Sequence, residues 1–414
     1  MLFSESTYSQ PLIDEIKFEG LEKTSESYLR LFIRCREGFP LDKKQISQDV
    51  QNLRNLTLFS EVSGRSEVNS GKVSVIFSLK ETYTLLPVFN FGGINENFWL
   101  KAGVTDFNFL GRGIKLGGYY QYYDRHSFEI FTKIPYLAES RWWLAARFGK
   151  FSTFEPAYFQ NQTSFYNADK YSWQLTAYYD FSSLPGRNIK YIADFGVEYI
   201  FEQYEKPVEK NIPHSPGPDY KQFDKYLLRT GLLIKNIDYY FEYLHGYEAR
   251  LYLESVSEPG KIFNFQKLVT DLRGYYRLTD EINLAARMIT GFATNDFSPF
   301  LPFVIDSYAN VRGSGNRVAR GSAELVVNLE IRKTLLHLSW AGFNLISFFD
   351  FGSVRPPSES LKQLFMNENI YKSAGAGLRI NLYNFYNSVF RFDYGFDLTD
   401  RSEGGFVLGF GQYF

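Results

Sequence analysis

From position 85 to the last residue the chain alternates apolar and polar residues in segments of about ten, the period of a strand with one face against apolar surroundings and the other against a polar space. The clearest stretch is 323–332. Leu325, Val327, Leu329 and Ile331 fall on one face and Glu324, Asn328, Glu330 and Arg332 on the other, with Val326 the apolar intruder on the polar side. Sixteen strands are predicted, at 85–92, 98–107, 114–124, 127–137, 142–151, 171–181, 190–201, 226–238, 246–256, 265–278, 282–294, 322–335, 344–354, 373–382, 388–397 and 405–414. Their connections sort by length. Those at 152–170, 202–225, 295–321 and 355–372 are long, whereas Leu110-Gly111-Arg112-Gly113, Leu184-Pro185-Gly186, Thr279-Asp280 and 384–387 are tight. Long loops at one end and short turns at the other are the layout of a transmembrane β-barrel, and a soluble sandwich has no reason to sort its loops this way.

The charges obey the same parity. Within 389–397, Arg391, Asp393 and Asp397 share one face while Phe390, Phe392, Tyr394 and Phe396 share the other. A basic side chain facing lipid at the bilayer midplane costs about 2 to 4 kcal/mol, so the charged face points into the lumen. By this sorting Arg379 and Asn381 are luminal, and Leu378, Ile380 and Leu382 face out.

Residues 11–82 follow another pattern. Ile13, Ile16 and Phe18 predict a strand closed by Gly20; 25–32 and 41–53 read as helices, the second with Ile46, Val50 and Leu53 at helical spacing. Residues 59–62 and 72–79 predict two further strands, the last with Val73, Val75, Phe77 and Leu79 on one face. The order β-α-α-β-β in about seventy residues suits one small domain with a modest core.

Composition narrows the class. Aromatic residues make up 19% of the chain, with 41 Phe and 31 Tyr, residues favoured in strands and at membrane interfaces. No apolar run approaches the roughly 18 residues of a spanning helix. A formal charge of −1 with scattered basic residues points away from nucleic acid. Cys35 has no partner for an internal disulfide and is expected to be an inert buried thiol in the first helix. Residues 1–10 have neither a basic start nor an apolar core, so they do not read as a signal peptide. His126, His214, His245 and His337 show no metal spacing, and no nucleophile elbow or phosphate loop occurs. No catalytic residue, cofactor or metal is assigned.

Four motifs carry a resemblance. Val311-Arg312-Gly313 lies between the eleventh and twelfth predicted strands; Asn328-Leu329-Glu330-Ile331-Arg332 lies in the next strand and Phe348-Phe349-Asp350-Phe351-Gly352 in the one after; Asp106-Phe107-Asn108-Phe109-Leu110-Gly111-Arg112-Gly113 forms the turn after the second. In this order they resemble the BamA/TamA superfamily of outer-membrane assembly and translocation barrels over nearly the whole chain. Residues 11–82 resemble its POTRA domain, with Ile13, Phe18, Gly20, Leu53, Leu56, Phe59, Val62 and Glu81 in the matching places. The resemblance implies a mainly β fold, a 16-stranded antiparallel transmembrane barrel at 85–414 after one small β-α-α-β-β POTRA-like domain at 11–82. It implies an outer-membrane location with that domain in the periplasm. The implied activity is insertion of client β-barrels through a lateral seam, the alternatives being a translocation pore or a non-catalytic scaffold. Implied partners are outer-membrane lipids, unfolded or partly folded client proteins and periplasmic or lipoprotein subunits, with an exposed POTRA strand edge available to an extended peptide.

Two sets of residues follow as candidates. Arg312, flanked by Gly313 and Gly315, would be an uncompensated charge in the lumen without a carboxylate; Asp350 and Glu330, luminal by parity, are its natural partners. The first and last strands must close the barrel, yet Pro87 lacks a donor, and Gly92, Gly93, Gly405, Gly409 and Gly411, ahead of the terminal Phe414, pack little side chain. Two features depart from the resemblance: one POTRA-like domain instead of several, and Gln412 where the usual terminal signal has an apolar residue.

Overall fold

In the computed structural model, residues 10–94, 97–159, 162–182, 189–207, 215–240, 243–258, 265–295, 298, 300–398 and 404–414 are described; the predicted turn at 184–186 lies outside them. The chain opens with a three-stranded sheet, β1 (Glu15–Glu19), β2 (Phe59–Asn69) and β3 (Lys72–Glu81), in the order β1-β3-β2 with β1 parallel to β3. Two helices cover it, α1 (Glu26–Leu29) and α2 (Lys43–Arg54). The Asp42 side chain accepts the Lys44 N–H and so caps α2 at its N-terminus. Ile46 and Leu53 of α2 bury against Val75, Phe77 and Leu79, the face of β3 that the alternation picks out. Glu81 closes the domain from the far end of β3, its carboxylate accepting the backbone N–H groups of Lys23 and Thr24 at 3.2 and 2.8 Å.

The first helix is shorter than its pattern suggests, and Cys35 lies beyond it in irregular chain. The Asp49 carboxylate, fully buried on α2, takes the N–H groups of Arg34 and Cys35 and holds the chain out of helix there. Burial, with the Asp49 carboxylate second, pushes the Cys35 thiol well above its ordinary value. The folded chain therefore holds this proton more tightly than the unfolded one, and the associated stability is present below about pH 8.5, the free thiol value, and is lost as pH rises past it. A thiol reagent at pH 8 is expected to label Cys35 only after denaturation; labelling of the folded chain at the rate of a free thiol would contradict this burial.

Sixteen strands close an antiparallel barrel. They are β4 (Leu85–Ile94), β5 (Asn97–Phe109), β6 (Ile114–Tyr123), β7 (Arg125–Ile134), β8 (Trp142–Phe159), β9 (Gln162–Asp180), β10 (Ile189–Glu205), β11 (Tyr220–Tyr239), β12 (Leu244–Ser257), β13 (Phe265–Arg277), β14 (Ile282–Ala293), β17 (Ala323–His337), β18 (Ala341–Val354), β19 (Ile370–Leu382), β20 (Ser388–Asp397) and β21 (Gly404–Phe410). Between β14 and β17 the chain forms a small hairpin, β15 (Phe303–Ile305) and β16 (Ala319–Gly321). Parity is kept around the wall: Leu329, Ile331, Leu378 and Phe392 are exposed on the outside, and Asn328, Glu330, Arg332, Arg379 and Asp393 are buried inside.

The strand expected at 59–62 runs on to Asn69, and the loop expected at 202–225 is strand up to Glu205 and from Tyr220; two further predictions of extent fail for a physical reason. The expected loop at 152–170 is the outer part of a hairpin whose register runs unbroken from Trp142↔Tyr179 to Phe159↔Gln162. Its inner face is apolar there, because Ala157, Tyr166, Ala168 and Tyr204 pack around Phe300 of the β14–β17 connection, so the polar-in alternation stops while the strands continue. The last strand is shorter than expected. It ends at Phe410, and Gly411, at φ 95°, turns the remaining residues into the lumen.

Candidate functional site

The β14–β17 connection folds into the barrel and is bonded tightly to itself. Asp306 O accepts the N–H groups of Asn310 and Val311, and Asn310 returns its side-chain oxygen to the Asp306 N–H at 2.8 Å. Val311 is buried with Phe303, Ile305 and Val354, and a Cβ on Gly352 would come within 2.5 Å of it. This sets the next residue, Arg312, against the wall.

Arg312 is fully buried. Its Nε and Nη2 donate to Asp350 Oδ2 and Oδ1 at 2.8 and 2.9 Å, its Nη1 to Glu330 Oε1 at 2.7 Å and to Asp393 Oδ2 at 3.3 Å. The guanidinium lies over the Phe348 ring at 3.6 Å and the Tyr413 ring at 4.2 Å. The fork on Asp350 is bidentate, a geometry lysine cannot reproduce. Arg332 donates to Glu330 Oε2 and Arg379 chelates Asp393, so these two carboxylates each take a further guanidinium, while Asp350 takes the Asn328 amide at 2.9 Å. Gly313, at φ 82°, abuts Gly395 so closely that a Cβ on it would meet the Gly395 carbonyl oxygen at 2.7 Å; Gly315, also at positive φ, takes the Ser307 N–H on its carbonyl. Arg312, Asp350 and Glu330 are thus brought together; Asp393, Arg379 and Gly395 complete the cluster and were not singled out by spacing. Their signal is luminal parity alone.

The loop is also fastened to the opposite wall. Arg317 and Arg320 bind the two oxygens of fully buried Glu155 on β8 at 2.7 and 2.6 Å, Tyr308 packs edge-on against Trp99 on β5 at 4.6 Å, and the Tyr123 hydroxyl on β6 donates to Asp306.

The seam between β21 and β4 is thin. Among the described residues its register comprises Phe406↔Gly93, Val407↔Gly92, Leu408↔Phe91 and Gly409↔Asn90. Gly92 is required there, since a Cβ would lie 2.4 Å from the Phe406 carbonyl oxygen and 2.9 Å from the Trp99 ring. Gly93 and Gly409 lie in the same register, and the remaining seam candidates do not. Gly405 pairs with Gly395 on β20, Pro87 pairs with Val104 on β5, and Gly411 and Phe414 have left the sheet. Phe414 is buried inside with Tyr275 and Ala285, and Gln412 accepts from Arg379 Nε at 3.2 Å. The polar residue at 412 is explained by that inward turn. The stretch of β4 from Leu85 to Phe89 consequently has no register partner on β21, and the chain just before it is pinned by Tyr83 N–H to Asn384 O and Tyr386 N–H to Tyr83 O.

The Asp106–Gly113 turn joins barrel and small domain. Lys23 Nζ meets Asp106 Oδ2 at 2.8 Å, Asn108 Nδ2 donates to Thr24 Oγ1 at 2.9 Å, and the Ser25 N–H donates to Gly111 O at 2.8 Å. A Cβ on Gly111 (φ 69°) would sit 2.0 Å from the Lys23 carbonyl oxygen, and one on Gly113 would strike the Tyr28 hydroxyl. Gly111→Ala is expected to cost about 1 to 3 kcal/mol of docking through strain and clash, read as faster hydrogen exchange at Thr24 and Ser25 with the barrel amides unchanged; unchanged exchange there would refute the role.

Comparison with known proteins agrees with this architecture. The family description "Omp85 superfamily domain" matches residues 108–414, and "Surface antigen variable number repeat", the POTRA description, matches 11–82. Among solved structures, CdiB from Escherichia coli aligns with a TM-score of 0.65 at 12% identity, covering 97% of this chain and 77% of that one. CdiB from Acinetobacter baumannii gives 0.62 at 12%, covering 97% and 74%. BamA from Haemophilus ducreyi lacking POTRA domains 1-3 gives 0.56 at 18%, covering 96% and 84%. At these identities the likeness is one of fold. With a family match across most of its length, a closed sixteen-stranded barrel and one POTRA domain, the chain belongs to the Omp85 superfamily.

Proposed function

We propose that this protein is an outer-membrane assembly factor, with its POTRA domain in the periplasm, that inserts client β-strands at the β21–β4 seam. The observation that carries the reading is the stretch Leu85–Phe89 of β4, paired to β5 on one side and without a β21 partner on the other, beside a four-pair seam. Unpaired strand edges template incoming strands, and the thin seam lets the rest of β4 become such an edge at small cost. No nucleotide is needed, because strand pairing and burial of the client's apolar face supply the driving force. The partners are outer-membrane lipids, unfolded clients and, at the POTRA edge, periplasmic or lipoprotein subunits. A secretion pore would require the loop to leave the lumen, where it is held on both walls. The test is reconstitution of the full chain in liposomes with a urea-unfolded client barrel and no nucleotide. Protease-protected client should accumulate at least tenfold faster than in empty liposomes; equal rates would reject the assembly reading, and client sealed inside the vesicles would favour the pore.

A further inference from the structure

Three cavities of about 240, 230 and 340 Å³ abut one another along the barrel wall, the second and third reaching the POTRA domain at Asn55 and Leu56. The first two share Lys133, Trp143 and Arg250; the second and third share Asn55 and Leu56 of the POTRA domain with Lys235. Together they form one groove running from Lys115 at the start of β6 to Gly411, just past the end of β21. Its barrel wall is basic: Lys115, Lys133, Arg147, Lys190, Lys235 and Arg250 project into it from β6, β7, β8, β10, β11 and β12. The acidic groups facing them are few and mostly engaged. Glu129 meets Arg147 and Glu248 meets Lys235, each at 3.7 Å, and Asp180 accepts the Tyr136 hydroxyl at 3.0 Å, which leaves Asp194. Among the described residues Lys115, Lys133, Lys190 and Arg250 have no ion-pair partner; Lys133 and Lys190 rest instead on the Trp143 ring, at 4.9 and 5.8 Å.

Charges of one sign on neighbouring strands about 4.8 Å apart, with β9 alone contributing none, repel one another within a Debye length of roughly 8 Å, and the arrangement gains by receiving a counter-charge. From β6 to β12 the row covers roughly 30 Å, the length of an extended peptide of about nine residues at ~3.3 Å each. A compact anion would satisfy one or two of these cations and leave the row unmatched. The aromatic floor and the polar, lumen-facing setting fit a water-borne chain and exclude a lipid tail. We infer that this groove is a binding site for an extended acidic polypeptide segment, placing a carboxylate-rich stretch of the client between the POTRA domain and the seam. The substrate class rests on the assembly reading above, whereas the groove is read by binding alone.

The experiment uses the full chain in nanodiscs and a fluorescein-labelled nine-residue peptide with Glu at alternate positions, followed by anisotropy. The acidic peptide should bind, with an affinity that falls steeply from 50 to 200 mM salt, and its Gln counterpart should bind at least tenfold more weakly. Lys133→Gln with Arg250→Gln should weaken the acidic peptide at least tenfold while the barrel keeps its heat-modifiable migration on gels. Conservative Lys133→Arg with Arg250→Lys should keep binding within threefold. Equal binding of the Glu and Gln peptides, or an unaffected double variant, would overturn the proposal, as would inorganic polyphosphate competing at concentrations far below those of the peptide, which would assign the groove to phosphate polymers. Peptide binding without client insertion would leave the site standing and reject the assembly reading; client insertion without peptide binding would do the reverse.

Discussion

Arg312→Ala is expected to destabilise the barrel by about 3 to 5 kcal/mol, the range for leaving buried carboxylates without their cation. Asp350, Glu330 and Asp393 are all buried around the guanidinium, so removing it leaves three acidic groups short of a donor. Denaturant unfolding in detergent measures the loss, and proteolysis within 295–321 should show the loop released from the lumen. Arg312→Lys discriminates charge from geometry. A lysine keeps the charge but can serve at most one edge of Asp350 and loses the flat stacking on Phe348, and more than half of the alanine deficit should persist. A double-mutant cycle with Asp350→Asn should give a coupling of about 2 kcal/mol or more. A lysine variant matching the native loop in stability and protease resistance would show that the fork contributes nothing beyond its charge.

The second large effect is expected at the seam. Phe91 and Leu408 face each other in register on the outer surface, where opposed Cα atoms lie about 4.5 to 5.5 Å apart, within the reach of a disulfide. In a Cys35→Ser background, Phe91→Cys with Leu408→Cys should abolish client insertion when oxidised and restore it on reduction. Four register pairs at a net 0.5 to 1.5 kcal/mol per hydrogen bond amount to roughly 2 to 6 kcal/mol, a barrier thermal fluctuation and an incoming strand can overcome; a covalent bond removes that route. Insertion that proceeds equally in the oxidised protein would reject the seam and with it the proposed mechanism.

Much of the architecture was legible because a barrel wall imposes one rule on every strand. The parity that puts Leu329 and Ile331 outside necessarily puts Glu330 inside, where Arg312 meets it. Legibility stopped where the inner surface ceased to be polar. Ala157, Tyr166 and Ala168 face a protein lid formed by Phe300, so β8 and β9 outrun their alternation. Val326, on the luminal parity of β17, is fully buried. The inward turn at Gly411 hid for another reason: its causes, Arg379 for Gln412 and the Tyr275 pocket for Phe414, are distant in sequence. Glu155 and Arg317, 162 positions apart, likewise leave no local period to read.

The two anchorages of the β14–β17 connection have a mechanical consequence. A barrel with an empty interior deforms by ovalising, every strand sharing a little of the distortion. Here Arg312 is fixed to β18 and Arg317 and Arg320 to β8, so the loop is a spoke that holds one diameter constant. Load arriving at the rim cannot spread evenly around such a hoop and concentrates in the arc outside the spoke that has the weakest ladder, the arc containing β21 and β4. If the wall parts at the proposed seam, the spoke sets that place, and cutting it should turn one defined opening into diffuse softening of the whole circumference.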